Sequence, residues 1–211
     1  MRRTALALAA AFALALAGCG GDDSDSEESA GQDTAPAQQA KKGGDLTVLY
    51  AADVDKIDPG VTYYQYGFLV AYATQRPLYS FKPDDAINPE PDLAEGEPEI
   101  SEDGKTVTVK IKTGIKYSPP VDREVTSKDV KYAMERAFSA NVPSGYATSY
   151  FADIVGAPDA PTKGVKPIEG IETPDDQTIV FTLDKATGVT LAAALVMPIT
   201  VPVPQEYAEK F

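Results

Sequence analysis

The chain has 211 residues, 19 basic and 32 acidic side chains and a formal charge of −13, with one cysteine and no histidine. Such acidity argues against nucleic acid or anionic lipid as a partner, because both need a basic face. The missing imidazole excludes serine–histidine, cysteine–histidine and zinc–histidine chemistry, whatever the fold.

The chain opens Met1-Arg2-Arg3-Thr4, followed by an apolar run over 5–17 built almost wholly from Ala and Leu. A basic end, a short apolar stretch and a small-residue exit form the tripartite pattern of an export signal. At ~1.5 Å per residue that run reaches about 20 Å, short of a ~30 Å hydrocarbon core. Its exit, Leu16-Ala17-Gly18-Cys19, resembles the bacterial lipobox. Cys19 is therefore assigned to lipid attachment, with the chain exported and held at the outer face of the cytoplasmic membrane or in the periplasm. Two or more acyl chains, at ~0.8 kcal/mol per methylene, make such anchoring stable. Lipidation would also consume the one thiol, leaving none for a disulfide, a nucleophile or a metal. Loss of residues 1–18 removes two arginines and no acid, which leaves the remainder near −15. Residues 19–44 mix Asp and Glu with Ser, Gln, Ala and Gly, and carry no hydrophobic period. They are expected to be a disordered acidic tether.

The folded part is expected to begin at residue 45. Residues 46–51, Leu-Thr-Val-Leu-Tyr-Ala, read as a mostly buried first strand. Asp53, Asp55 and Asp58 then precede Gly60 and suit the capping of a turn. A calcium loop is not supported, because the twelfth position from Asp53 is Tyr64 where a bidentate glutamate is needed. Tyr64, Phe68 and Tyr72 recur every four residues, with Leu69 beside them, and predict a helix whose stripe faces the core. Tyr63 and Tyr66 fall off that stripe and either pack or face a ligand. Residues 106–111 alternate apolar and polar, predicting a strand with one buried face. Thr126-x-x-Asp129 reads as a capping box opening a helix. Val130, Ala133, Met134, Ala137 and Phe138 form its apolar stripe. Residues 170–173 and 178–183 flank Pro174-Asp175-Asp176-Gln177 as a hairpin. The elements together predict a mixed α/β (α+β) fold with antiparallel hairpins and packed helices. No phosphate-cradling glycine motif is present, and no metal, cofactor or catalytic residue is expected.

Four stretches, in order and spacing, carry a resemblance. They are residues 49–60 with Ile57-Asp58-Pro59; residues 89–96, Pro-Glu-Pro-Asp-Leu-Ala-Glu-Gly; residues 103–118, which include Gly114-Ile115-Lys116-Tyr117; and residues 125–138, opening Val-Thr-Ser-Lys-Asp-Val. Together they resemble the family 5 extracellular solute-binding proteins, the receptors of oligopeptide, dipeptide and nickel ABC importers. The chain departs from the family pattern at Tyr117, at Ser118-Pro119-Pro120 and at Gly96-Glu97.

The resemblance implies a periplasmic-binding-protein type II-like fold of which only the N-terminal portion is present. Residues 45–75 would open the first lobe, 76–204 would form the second, and 205–211 would begin the return to the first. A truncated receptor is therefore expected, without catalysis or cofactor. Its partners would be a peptide or other small solute and the ABC permease subunits, with hinge closure of the lobes as the mechanism of an intact relative. The segment after Ile-Asp-Pro, namely Val61, Thr62, Tyr63, Tyr64 and Gln65, would lie along the ligand through backbone hydrogen bonds. One alternative is a stand-alone lipid-anchored interaction or sensor module. Another is a carboxylate-dependent envelope enzyme, which would need two acids about 5–9 Å apart across a pocket.

Overall fold

The structure, a computed structural model, describes residues 43–211. The signal, Cys19 and nearly all of the expected tether lie outside the described residues. The chain divides into two units, 1–48 and 49–211. In the first, the described residues 43–48 carry no regular structure, and every helix and strand described belongs to the second.

Residues 46–51 are the first departure from expectation. They form no strand, and Leu46 and Leu49 are 87% and 89% exposed. An apolar run becomes a strand only when neighbours satisfy its backbone and cover its side chains. The two sheets of the fold are completed without it.

The first helix, α1, spans Gln65–Thr74, and the hairpin β1 (Tyr79–Lys82) and β2 (Asp85–Pro91) follows. The main sheet is built from β3 (Glu99–Ile100), β4 (Thr106–Lys110), β5 (Ile171–Glu172) and β6 (Thr178–Thr182). Its order is β3-β4-β6-β5, with every pair antiparallel. The predicted alternation over 106–111 holds: Val107 and Val109 point inward and sit opposite Phe181 and Ile179, all buried. The predicted hairpin is β5–β6, closed by Asp175, whose carboxylate accepts from the Gln177 and Thr178 amides at 2.8 and 2.7 Å.

Helix α2 (Ser127–Ala137) covers the sheet with the predicted stripe, as Val130, Ala133, Met134, Ala137 and Phe138 are all buried. The Asp129 carboxylate accepts from the Thr126 amide at 2.8 Å and from the Thr126 hydroxyl at 3.1 Å, satisfying donors at the helix start. Arg123 grips the same carboxylate through two nitrogens at 2.8 and 2.6 Å and also reaches Glu206. That second contact ties the loop before α2 to the last helix, α5 (Gln205–Ala208). Two short helices, α3 (Ala147–Tyr150) and α4 (Gly188–Ala194), complete the unit with a 3-10 turn at Pro198–Thr200.

Candidate functional site

The stretch between the first acids and α1 is organised by two aspartates. The Asp55 carboxylate accepts from the amides of Tyr63 and Tyr64 at 2.7 and 3.3 Å and from the Thr62 hydroxyl at 3.1 Å. These bonds outweigh the opposing effect of burial and hold the Asp55 carboxyl below its ordinary value. The Asp58 carbonyl takes the amides of Val61 and Thr62 at 3.0 and 2.9 Å. The Asp58 side chain takes the Gly60 amide at 2.9 Å and a bidentate grip from Arg136 of α2. The expected turn-capping role is therefore met by Asp55 and Asp58, while Asp53 takes only the next amide, that of Val54; Asp55 goes further by closing the entry to α1. Gly67 makes that closure possible. A Cβ there would lie 2.0 Å from the Thr62 hydroxyl and 2.4 Å from an Asp55 oxygen.

With four consecutive amides occupied inside the chain, Val61 to Tyr64 have no free N–H to offer an added strand. The segment presents its side chains instead. Thr62 is fully buried and Val61 partly so, whereas Tyr63, Tyr64 and Gln65 are exposed.

The aromatic stripe of α1 is the second departure. Tyr64 and Tyr72 are exposed and Phe68 is half-buried; the helix buries Gly67 and Ala71 instead. Small side chains allow the close approach to Asp55 and Thr62, and the bulky rings are turned outward.

Those rings are completed by two that periodicity does not reveal. Tyr146 stacks on Tyr63 with centroids 5.2 Å apart and planes 20° apart, and its hydroxyl donates to the Tyr63 carbonyl at 3.4 Å. Gly145 admits this packing, because a Cβ there would lie 2.8 Å from the Tyr63 ring. Tyr64 meets Tyr63 edge-on at 6.0 Å, and Phe68 lies 6.2 Å from Tyr146. Tyr150 lies 6.2 Å from Tyr146, and Tyr72 lies 6.3 Å from Phe68. The outcome is a continuous aromatic face with Tyr146 buried at its centre. Burial first, then the neighbouring phenols and Asp55, push the Tyr146 hydroxyl up to about 12. Tyr66 is not part of this face; its ring packs on Tyr50 at 4.5 Å.

A separate, largely apolar cleft of about 480 Å³ is lined by Pro59, Leu93, Val125, Val201, Pro204 and Tyr207 among others. Gln75 Oε1 and the Tyr117 hydroxyl reach it and have no hydrogen-bond partner. Burial raises the Tyr117 hydroxyl far above its ordinary value. Among the described residues no group of three acidic, histidine or cysteine side chains could hold a metal ion. No described helix is long and apolar enough to cross a membrane.

No curated protein sequence matches the chain. Solved structures do. The clavulanic acid biosynthesis oligopeptide binding protein 2 is 33% identical with a TM-score of 0.63, covering 74% of this chain and 29% of its own. Listeria monocytogenes OppA bound to peptide is 28% identical with a TM-score of 0.65, covering 76% and 31%. Haemophilus influenzae OppA in complex with RPPGFSPFR is 26% identical with a TM-score of 0.62, covering 75% and 30%. The chain thus spans about 30% of the length of these structures, and its mixed α/β architecture is that of type II periplasmic-binding proteins. Residues 88–211 match the family described as bacterial extracellular solute-binding proteins, family 5 Middle. On that match, over more than half its length, the chain belongs to the family 5 bacterial extracellular solute-binding proteins.

Proposed function

We propose that this chain is part of a substrate-binding lipoprotein of an ABC importer, exported, anchored through Cys19 and serving peptide uptake without catalysis of its own. Residues 45–75 open the first lobe, 76–204 form the second and 205–211 begin the return to the first. The observation that carries the binding role is the aromatic face, on which Asp55 holds Tyr63 and Tyr64 outward beside Tyr146 and Tyr150. Half-exposed tyrosines supply large, rigid contact area at low entropic cost, and their hydroxyls serve polar groups of many ligands. The likeness to oligopeptide-binding structures supports peptides as the solute. The ligand segment in this reading is Val61, Thr62, Tyr63, Tyr64 and Gln65, with contact made by the Tyr63, Tyr64 and Gln65 side chains.

Mixed pentapeptides bearing a photoreactive phenylalanine analogue test the site. Crosslinks are expected on Tyr63, Tyr64, Tyr146 and Tyr150. Labelling concentrated on the β1–β2 hairpin or the main sheet would move the site elsewhere. Calorimetry on the 211-residue chain is expected to show affinity weaker than micromolar, because these residues supply one part of a cleft that closes between lobes. Micromolar affinity would show that this portion binds alone.

A further inference from the structure

We propose that the aromatic face selects ligands carrying a positive charge, so that the peptides it receives are those with an arginine or lysine side chain; this rests on the peptide-binding reading above. Six rings, those of Tyr63, Tyr64, Phe68, Tyr72, Tyr146 and Tyr150, share one surface with centroid spacings of 5.2–6.3 Å between neighbours. The face of each ring is the negative end of its quadrupole, and a cation set over it is attracted more strongly than a neutral group of equal size.

The charge around the face has the same sign. Asp55 binds the backbone of two of its residues, and all its partners are neutral: two amides and a hydroxyl. Among the described residues no basic side chain forms an ion pair with it. The N-terminus of α1 offsets only about half a unit charge. Arg136 is committed to Asp58 and Lys185 to Asp153, while Lys56, beside Asp55 in the chain, is exposed to solvent and forms no ion pair with it. Asp55 is the one acidic side chain whose charge acts on the Tyr146 hydroxyl, and no basic side chain acts beside it. A neutral apolar ligand would gain ring contact alone. A cationic one gains ring contact, the favourable potential of the exposed ring faces it covers and the field of a carboxylate that has no ion-pair partner. The guanidinium of arginine also stacks flat on an aromatic ring, which suits the open, half-exposed tyrosines.

The test compares the pentapeptide Ala-Ala-Arg-Ala-Ala with its norleucine twin by NMR titration of the 211-residue chain, following tyrosine ring resonances. The arginine peptide is expected to bind about three- to tenfold tighter at low salt. That margin should shrink in 0.5 M salt. It should be reduced in Tyr150→Leu and kept in Tyr150→Phe, which retains the ring. Tyr150 is half-exposed, so neither change threatens the fold. Tetramethylammonium chloride should shift the Tyr63, Tyr146 and Tyr150 rings saturably, while tert-butanol at equal concentration should not. Equal binding of the two peptides overturns the charge preference and leaves peptide binding standing. Tetramethylammonium shifts without binding of either peptide would overturn the peptide reading and leave the cation site standing. Equal shifts from tetramethylammonium and tert-butanol overturn the cation site.

Discussion

Asp58 is the residue through which the loop before α1 is fastened to α2. Its two oxygens face the Arg136 guanidinium, one of them also takes the Gly60 amide, and the two side chains are 35% and 17% exposed. Burial works against the charged carboxyl, but the Arg136 hydrogen bonds and the Gly60 amide outweigh it and hold Asp58 below its ordinary value. Asp58→Asn keeps the shape and removes the charge. It is expected to destabilise the fold by about 1–2 kcal/mol at neutral pH, the lower part of the range for charge-assisted bonds because the pair is partly screened. Since the folded value lies below the unfolded one, this contribution is complete well above pH 3.8 and is lost as pH falls through the folded value. The melting temperatures of wild type and variant should therefore differ at pH 7 and converge below pH 3.8. A gap unchanged at low pH would mean that the pair is not what fastens the loop.

The two long helices show what periodicity reveals. In α2 every position of the predicted apolar stripe is buried, and Ser127, Asp129, Tyr132 and Glu135 are buried beside it. In α1 the period of four is real, but it marks the outward side. Hydrophobic and aromatic residues occupy nearly the whole helix, Gln-Tyr-Gly-Phe-Leu-Val-Ala-Tyr-Ala-Thr, and the pattern alone does not say which side is covered. The covered side is Gly67 and Ala71, chosen by close packing rather than by apolar bulk. A measurement separates the two helices. Phe138→Ala is expected to cost about 3–5 kcal/mol in urea unfolding, as for a large side chain removed from a core. Tyr72→Ala should cost less than about 1 kcal/mol, as for a surface change. Comparable losses would return the α1 stripe to the interior. Tyr146 and Tyr150 were invisible to pattern reading for a different reason. Tyr146 precedes and Tyr150 ends a four-residue helix with no period of its own, and Tyr146 reaches Tyr63 across 83 positions of chain.

For the whole molecule, the family and fold class were legible because four separated stretches keep the order and spacing of one architecture. The β4 alternation, the α2 start and the β5–β6 hairpin are the pieces that recur in the structure. Residues 46–51 were not legible in the same way, since strand propensity cannot report whether neighbours are present to pair. The proposed anchor is likewise a whole-molecule property, and it has a direct assay. Cells expressing the chain should incorporate labelled palmitate into it, and Cys19→Ala should abolish the label and release the protein from the membrane fraction. Retention of the label in that variant would place the lipid elsewhere. Light gives the aromatic face a further use. The chain has eleven tyrosines and no tryptophan, and Tyr63, Tyr64, Tyr72, Tyr146 and Tyr150 all belong to that one face. Five of its eleven ultraviolet emitters therefore sit in one patch of surface, with no indole to mask them. A molecule landing there alters the glow of the protein without a dye or a tag.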